Sequence, residues 1–313
     1  MAESKRRILV HFPLDGLRWI EEEFPQVELV AIPEEGPLPS DLEGDILFTS
    51  TWGSPNLEDI LSRGVRWIHT VGTGIDRFPL DALGDRVLTC ARGASAVPIA
   101  EWTLAVMLAF EKQLPDRWLS KPPARWNWAQ LGGLDGRTLA LLGLGGIGVA
   151  VATRALAFGM SVKAVRRSEQ PSPVAGVEIV SDAASLVADA DHLVVAAPLT
   201  HRTRGIVDAE LLRLAKPGLH LVNVSRGELV DQEALLEALE AGHVARASLD
   251  VATPEPLPEE HWLYGHPGVR LSAHVSWSMP GCVDLLMQNF AANLRRYLEG
   301  KPLEGIVDVE EGY

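Results

Sequence analysis

The sequence predicts an α/β protein made of two doubly wound parallel-sheet domains. Short apolar runs with strand character alternate with helical runs along nearly the whole chain, as when parallel strands are joined by covering helices. One run, residues 138–142, leads straight into Gly143-Leu-Gly-Gly-Ile-Gly148 and a helical run over 149–158. A length of 313 residues and a hydrophobic fraction of 47% allow two sizeable cores.

The elements follow in order. Residues 8–12 read as a strand, 17–24 as a helix stopped by Pro25, and 27–32 as a second strand. The stretch 33–40, with three prolines, is a surface loop. Strands at 45–49, 65–71 and 87–91, with a short helix at 56–61, complete a small α/β domain. Ser95 is placed to N-cap an apolar helix over 97–110 that tolerates Pro98 in its first turn and leads to the next domain. Residues 121–128 form a loop rich in Pro and Trp. Beyond the glycine turn, strands at 161–165, 192–197, 219–224, 247–251 and 269–272 alternate with helices at 183–188, 209–214 and 232–241. A long helix over 280–298 follows the completed second sheet and is expected to return to the first domain.

Composition narrows the partners. A formal net charge of −14, with no basic block beyond Lys5-Arg6-Arg7, argues against nucleic acid and anionic membranes. That basic run reads as a solvated lead-in to the first strand. Cys90 and Cys282 stand in no metal or redox spacing and are expected as buried, reduced thiols; no metal site is expected. The N-terminus shows no signal-peptide core, and no apolar run is long enough to span a membrane, so a cytoplasmic protein is expected.

The glycines carry the first chemistry. In a strand–turn–helix context, Gly143 makes the tight turn, Gly145 lets the backbone approach a pyrophosphate, and Gly148 lets helix pack on strand. The helix N-terminus, with Gly146 and Ile147 in its lead-in, faces the phosphates. At the end of the next strand, where an acidic residue would bond a ribose 2′-hydroxyl, stand Arg166, Arg167 and Ser168. Guanidinium forks and a hydroxyl suit a 2′-phosphate, so NADP(H) is favoured over NAD(H).

Three further segments occur in order: Asn223-Val-Ser-Arg-Gly-Glu-Leu-Val-Asp231, Leu249-Asp-Val-Ala-Thr-Pro-Glu-Pro-Leu-Pro258 and Leu271-Ser-Ala-His-Val-Ser-Trp277. With Val71-Gly-Thr-Gly-Ile-Asp76 and the helix bearing Glu101, they resemble the signature segments of the D-isomer-specific 2-hydroxyacid dehydrogenases. The likeness covers nearly the whole chain and is densest over 134–277. Arg166-Arg-Ser168 and the terminal Val307-Asp-Val-Glu-Glu-Gly-Tyr313 are most similar to the NADPH-linked glyoxylate/hydroxypyruvate reductases.

That resemblance implies a flavodoxin-like substrate domain (1–96 and 278–313) and a Rossmann dinucleotide-binding domain (97–277). It implies Arg226 as the clamp on the substrate carboxylate and keto oxygen, and His274 as general acid opposite the hydride. Glu255 would orient the imidazole and favour its protonated form. The N–H groups of Thr73 and Gly74 would hold the substrate carboxylate, on closure of a cleft between the domains. Pro198, Thr200 and Asp250 would line the nicotinamide pocket, with Val224, Ser225 and Arg226 passing close by and His274 also against the cofactor, while Trp52, Trp277 and Met279 would shape the substrate pocket. Several residues depart from the pattern: Gly146 where a basic residue is frequent, Arg92 for an asparagine, Ser272-Ala273 for Thr-Pro, and His261-Trp-Leu-Tyr264 for Pro-Leu-Trp.

The expected activity is reduction of small 2-keto acids, glyoxylate or hydroxypyruvate first, to D-2-hydroxy acids by an NADPH-preferring enzyme. The alternatives are a broad dehydrogenase of larger keto acids and a nucleotide-sensing, corepressor-like binding protein. Glu255, where formate enzymes resemble the pattern with glutamine, disfavours that branch. The end of the sequence just past the last helix is expected to disfavour a phosphoglycerate dehydrogenase with a regulatory tail. A homodimer is expected, with the helix over 97–110 and the loop over 118–128 as contact surfaces.

Overall fold

A computed structural model describes residues 5–167 and 170–313. The chain divides into two compact units, Met1–Ala94 with Pro280–Tyr313, and Ser95–Met279.

The first unit contains β1 (Arg6–Val10), α1 (Arg18–Glu23), β2 (Val27–Ala31), β3 (Ile46–Thr49), α2 (Leu57–Leu61), β4 (Trp67–Thr70) and β5 (Val87–Cys90). Its strands are parallel in the order β2-β1-β3-β4-β5, the flavodoxin-like winding. Strand alternation sends Ile8 and Val10 to one core and Leu9 to the other. Arg6 and Arg7 are not a lead-in: they open β1, held by Asp45 at 2.6 Å and Glu28 at 3.4 Å. Both cysteines are buried, and neither is in a disulfide.

The second unit runs α3 (Ala96–Glu111), β6 (Thr138–Leu142), α4 (Gly146–Ala157), β7 (Ser161–Val165), β8 (Val177–Ile179), α5 (Ala183–Val187), β9 (His192–Val195), α6 (Ala209–Leu214), β10 (Leu219–Asn223), α7 (Gln232–Glu240), β11 (Val244–Leu249), α8 (Trp262–Gly265) and β12 (Val269–Leu271). Its seven strands are parallel in the order β12-β11-β10-β9-β6-β7-β8, the dinucleotide-binding winding with one added strand. Residues of β6 alternate between two cores, Ala140 and Leu142 on one face, Leu139 and Leu141 on the other. A strand buried on both faces reads as an unbroken apolar run, which is how it announced itself. The three residues of β8 are half-buried or exposed and carry no apolar run, so periodicity missed them. Asp182, Asp208 and Asp231 accept N–H bonds from the first turns of α5, α6 and α7. Ser95 holds the N-cap position of α3, but its side chain does not cap that helix.

The last helix, α9 (Cys282–Leu298), packs in the first unit, with Phe290 and Leu294 in one core with Ile8, Phe48 and Trp67. Phe290 stacks on Phe48 at 4.3 Å between ring centroids. Among the described residues no helix is long and apolar enough to cross a membrane.

Candidate active site

The glycine loop joins β6 to α4. The helix begins at Gly146 rather than 149, because apolar periodicity cannot see glycines as helical. Gly143 sits at φ +106° with the backbone of Ala196 and Ala197 2.7–2.8 Å from where a Cβ would be, so only glycine turns here. A Cβ on Gly148 would stand 2.3 Å from the Gly143 carbonyl oxygen, which is the close helix–strand approach expected of it. A Cβ on Gly145 would meet nothing within 4 Å. Gly145 and Gly146 are exposed, and α4 has no side-chain cap, so its first-turn N–H groups are left for a ligand. Those features fit a pyrophosphate. Ile147 packs onto the core beneath the loop, and Gly146 offers backbone alone.

Arg166 follows β7 directly, as expected. Its Nη1 is turned onto its own loop, donating to the carbonyls of Pro171 at 2.9 Å and Gln170 at 3.5 Å. Arg167 beside it is exposed, and Ser168 lies outside the described residues. After β9, the Thr203 hydroxyl donates to the Pro198 carbonyl at 2.6 Å and accepts the Thr200 N–H at 2.8 Å, folding that segment into a turn. The Val224 side chain is buried in the core with residues of α3 and α4. The Ser225 hydroxyl donates to the Ala197 carbonyl at 2.5 Å, tying the loops after β10 and β9 together.

Arg226, Glu255 and His274 come from the loops after the adjacent strands β10, β11 and β12. Buried Asn223 shapes the first loop, its Nδ2 donating to the Arg226 carbonyl at 2.8 Å and its Oδ1 accepting the Ser225 N–H. Gly227 lies so close to the Ala252 carbonyl that a Cβ would be 2.1 Å away, which brings the Arg226 loop against the Glu255 loop. The Gln232 amide clamps Thr253 through both its donor and its acceptor, at 2.7 and 3.0 Å. Glu255 Oε1 accepts the Ala252 N–H at 3.0 Å and its Oε2 stands 2.9 Å from His274 Nδ1. A carboxylate only accepts, so Nδ1 carries the proton and Nε2 is the nitrogen left to act.

His274 has φ +54°, the left-handed region. Asp250 holds it there. The His274 N–H donates to the Asp250 carbonyl at 2.8 Å; Asp250 Oδ1 accepts the Ser272 hydroxyl at 2.5 Å and the Val275 N–H at 2.9 Å; Oδ2 accepts the Ser276 N–H at 2.9 Å. Asp250 is only 1% exposed. Its carboxylate holds the histidine loop, a part beyond the place along the nicotinamide pocket that the resemblance implies. The indole of Trp277, expected as pocket lining, donates to the His274 carbonyl at 3.0 Å. Sequence reasoning missed these supports and Gln232, although a carboxylate ending an apolar strand was a signal, since a buried Asp must find donors. The unusual His261 segment is resolved as α8, with His261 at its N-cap and Leu263 buried.

In the first unit, Thr73 and Gly74 lie past the end of β4. The Thr73 hydroxyl donates to the Ala91 carbonyl at 3.0 Å, and that of Thr70 to Gly72 at 3.2 Å, fixing the turn. Trp52, in the same unit, is 67% exposed.

The family described as D-isomer specific 2-hydroxyacid dehydrogenase, NAD binding domain, matches residues 104–276. The chain belongs to the D-isomer specific 2-hydroxyacid dehydrogenase family. Within that family it is 31% identical to a D-3-phosphoglycerate dehydrogenase of Methanocaldococcus jannaschii, over 97% of this chain and 59% of that protein. It is 29% identical to glyoxylate/hydroxypyruvate reductase A of Serratia proteamaculans, over 96% of each. A D-isomer specific 2-hydroxyacid dehydrogenase from Xanthobacter autotrophicus Py2, solved in complex with NADPH and MES, superposes with a TM-score of 0.85 at 25% identity, covering 99% of this chain and all of the other. The chain spans between 49% and 59% of the length of the first phosphoglycerate dehydrogenases it matches.

Proposed function

We propose that this 2-hydroxyacid dehydrogenase family member reduces small 2-keto acids of the glyoxylate or hydroxypyruvate class to D-2-hydroxy acids, with NADPH preferred. The observation that carries the reading is the 2.9 Å Glu255–His274 contact, on the loop next to Arg226, at the strand ends that also bear the glycine loop. The bound cofactor supplies the hydride. Arg226 binds the substrate carboxylate and polarises the keto oxygen. His274 gives that oxygen a proton from Nε2, while Glu255 keeps the ring in place and balances the charge it carries. Thr73 and Gly74 hold the carboxylate with backbone N–H groups, and Pro198, Thr200, Ser225 and the backbone of Val224 flank the nicotinamide. Met1–Ala94 with Pro280–Tyr313 serves as substrate domain and Ser95–Met279 as nucleotide domain.

Arg166 and Arg167 support the NADPH preference, with Arg166 leaving its own loop carbonyls for the 2′-phosphate. The test is steady-state reduction of glyoxylate, hydroxypyruvate and phenylpyruvate with each cofactor. We expect KM for NADPH at least about tenfold below that for NADH, an advantage that Arg166→Ala abolishes. A wild-type preference for NADH would overturn the cofactor assignment, and no turnover of any keto acid would favour a nucleotide-sensing binding protein. The 31% identity to phosphoglycerate dehydrogenases supports a second substrate reading. Oxidation of D-3-phosphoglycerate with higher kcat/KM than glycerate or glycolate would establish it in place of the first.

We also infer a homodimer, formed through the second unit. Trp118, Trp126 and Trp128 are 73–74% exposed and Leu119 is 59% exposed, an apolar surface that monomers rarely leave in water. Sedimentation velocity should report twice the chain mass. A Trp118→Ser/Trp126→Ser/Trp128→Ser variant should shift it to monomer, and a monomeric wild type would sink the inference.

A further inference from the structure

At the end of the second sheet opposite the glycine loop lies a cavity of about 350 Å³, lined by Phe110, Glu111, Arg137, Asp191, Lys216 and Arg246 among others. Arg137, Asp191 and Lys216 precede β6, β9 and β10, Arg246 is the third residue of β11 and Glu111 ends α3, whereas the glycine loop and the Arg226 loop follow strands of the same parallel sheet. The two sites therefore occupy opposite strand ends. Among these lining residues, three cations face two carboxylates, in a chain whose formal net charge is −14.

The charges are not evenly matched. Asp191 is saturated: its Oδ1 accepts from Arg137 Nη1 at 2.9 Å and Lys216 Nζ at 2.6 Å, and its Oδ2 accepts the Thr138 N–H at 2.8 Å. Burial opposes its ionisation, yet the bonds from Lys216 and Thr138 and the charges of Lys216 and Arg137 hold its carboxyl below the usual range. Glu111 is 6% exposed, with Oε1 3.2 Å from His192 Nε2 but off that nitrogen's hydrogen-bond direction, and 3.8 Å from Arg137 Nε. Arg246 has neither a hydrogen bond nor an ion pair within 4 Å among the described residues, and its Nε is buried without a partner. Its guanidinium lies over the Phe110 ring at 5.5 Å. Burial and the neighbouring Arg270 push its pKa down, against the pull of Asp116, whose nearest cation is Arg270 at 4.0 Å.

The strand residues behind Phe110, outside the cavity lining itself, are polar as well. His192 and His220 meet through their Nδ1 atoms at 3.0 Å, His220 Nε2 stands 2.9 Å from the Ser248 hydroxyl, and both rings pack on Phe110. Central strands normally put aliphatic residues in such positions. A guanidinium at the wall of a cavity, with one nitrogen buried without a partner and no carboxylate within 4 Å among the described residues, is what a site looks like from the protein's side.

We propose that this cavity is a second ligand site, which binds the oxyanion group, carboxylate or phosphate, of a small molecule through Arg246, with Lys216 and Arg137 as flanking cations. A guanidinium recognises either group with paired N–H bonds, and the Phe110 ring holds its plane fixed.

Inorganic phosphate and acetate are the probes. Each is titrated calorimetrically into the full chain at constant ionic strength, with saturating NADP+ present to fill the phosphate positions of the nucleotide site. In an Arg226→Gln background, which removes the anion clamp proposed for the active site, one saturable site is expected, roughly millimolar for the better probe. Arg246→Gln should weaken it by at least about tenfold, and Lys216→Gln should weaken it measurably should the first variant fold poorly. A lower dissociation constant for phosphate marks a phosphorylated ligand, and one for acetate a carboxylate. Heat no greater than that of chloride, or binding unchanged in both variants, would overturn the proposal.

Discussion

Replacing His274 by asparagine is expected to cut kcat by about 10²–10⁴-fold while leaving the dissociation constant for NADPH within about twofold. Asparagine is the informative choice, because it tolerates the left-handed backbone at φ +54° that His274 adopts. The loop then survives and only the proton donor is lost. Weakened nucleotide binding with kcat retained would mean that His274 serves the cofactor and that another group donates the proton. Glu255→Gln keeps an acceptor for Nδ1 but removes the balancing charge, so a smaller loss in kcat at unchanged fold is its expected companion.

Asp250→Asn should be nearly as damaging, although this residue only positions another. Its carboxylate, on a residue only 1% exposed to water, accepts three hydrogens, from the Ser272 hydroxyl and the Val275 and Ser276 N–H groups. An amide has one acceptor oxygen, so an NH2 group must face at least one backbone N–H. Two donors then meet, at a cost of about 1–3 kcal/mol, and the strained turn that presents His274 loosens. We expect kcat to fall about 10–100-fold, with little change in the KM for NADPH and a lower Tm. Ser272→Ala removes one donor and leaves the two N–H bonds intact, so it should cost about 1 kcal/mol and much less activity. A raised KM for NADPH with normal kcat would instead return Asp250 to the nicotinamide pocket, where the sequence had suggested it.

The features legible in the chain share one property: each depends on neighbours in sequence. The run over 138–142 and the glycines after it announce themselves because a doubly buried strand is uniformly apolar and a tight turn needs glycine. Both windings follow from strands alternating with helices. The motif segments around Arg226, Glu255 and His274 were readable as pattern, and the Glu255–His274 contact at 2.9 Å bears on the pairing expected of them. β8 failed because three half-exposed residues bury too little to leave a trace.

What the sequence by itself determined is the α/β class, the order of elements, the glycine cradle and the family. What only tertiary structure decided is which groups meet across strands that lie far apart in the chain. Gly227 lies against Ala252, Gln232 clamps Thr253, and Asp250 gathers the loop of His274. Burial likewise holds His69 to a pKa of about 3 and keeps it neutral in the first unit's core. The physical reason is the same in each case. Burial and hydrogen-bond geometry are properties of neighbours in space, and a polar side chain becomes a support, a wall or a buried neutral group only once folding has chosen those neighbours.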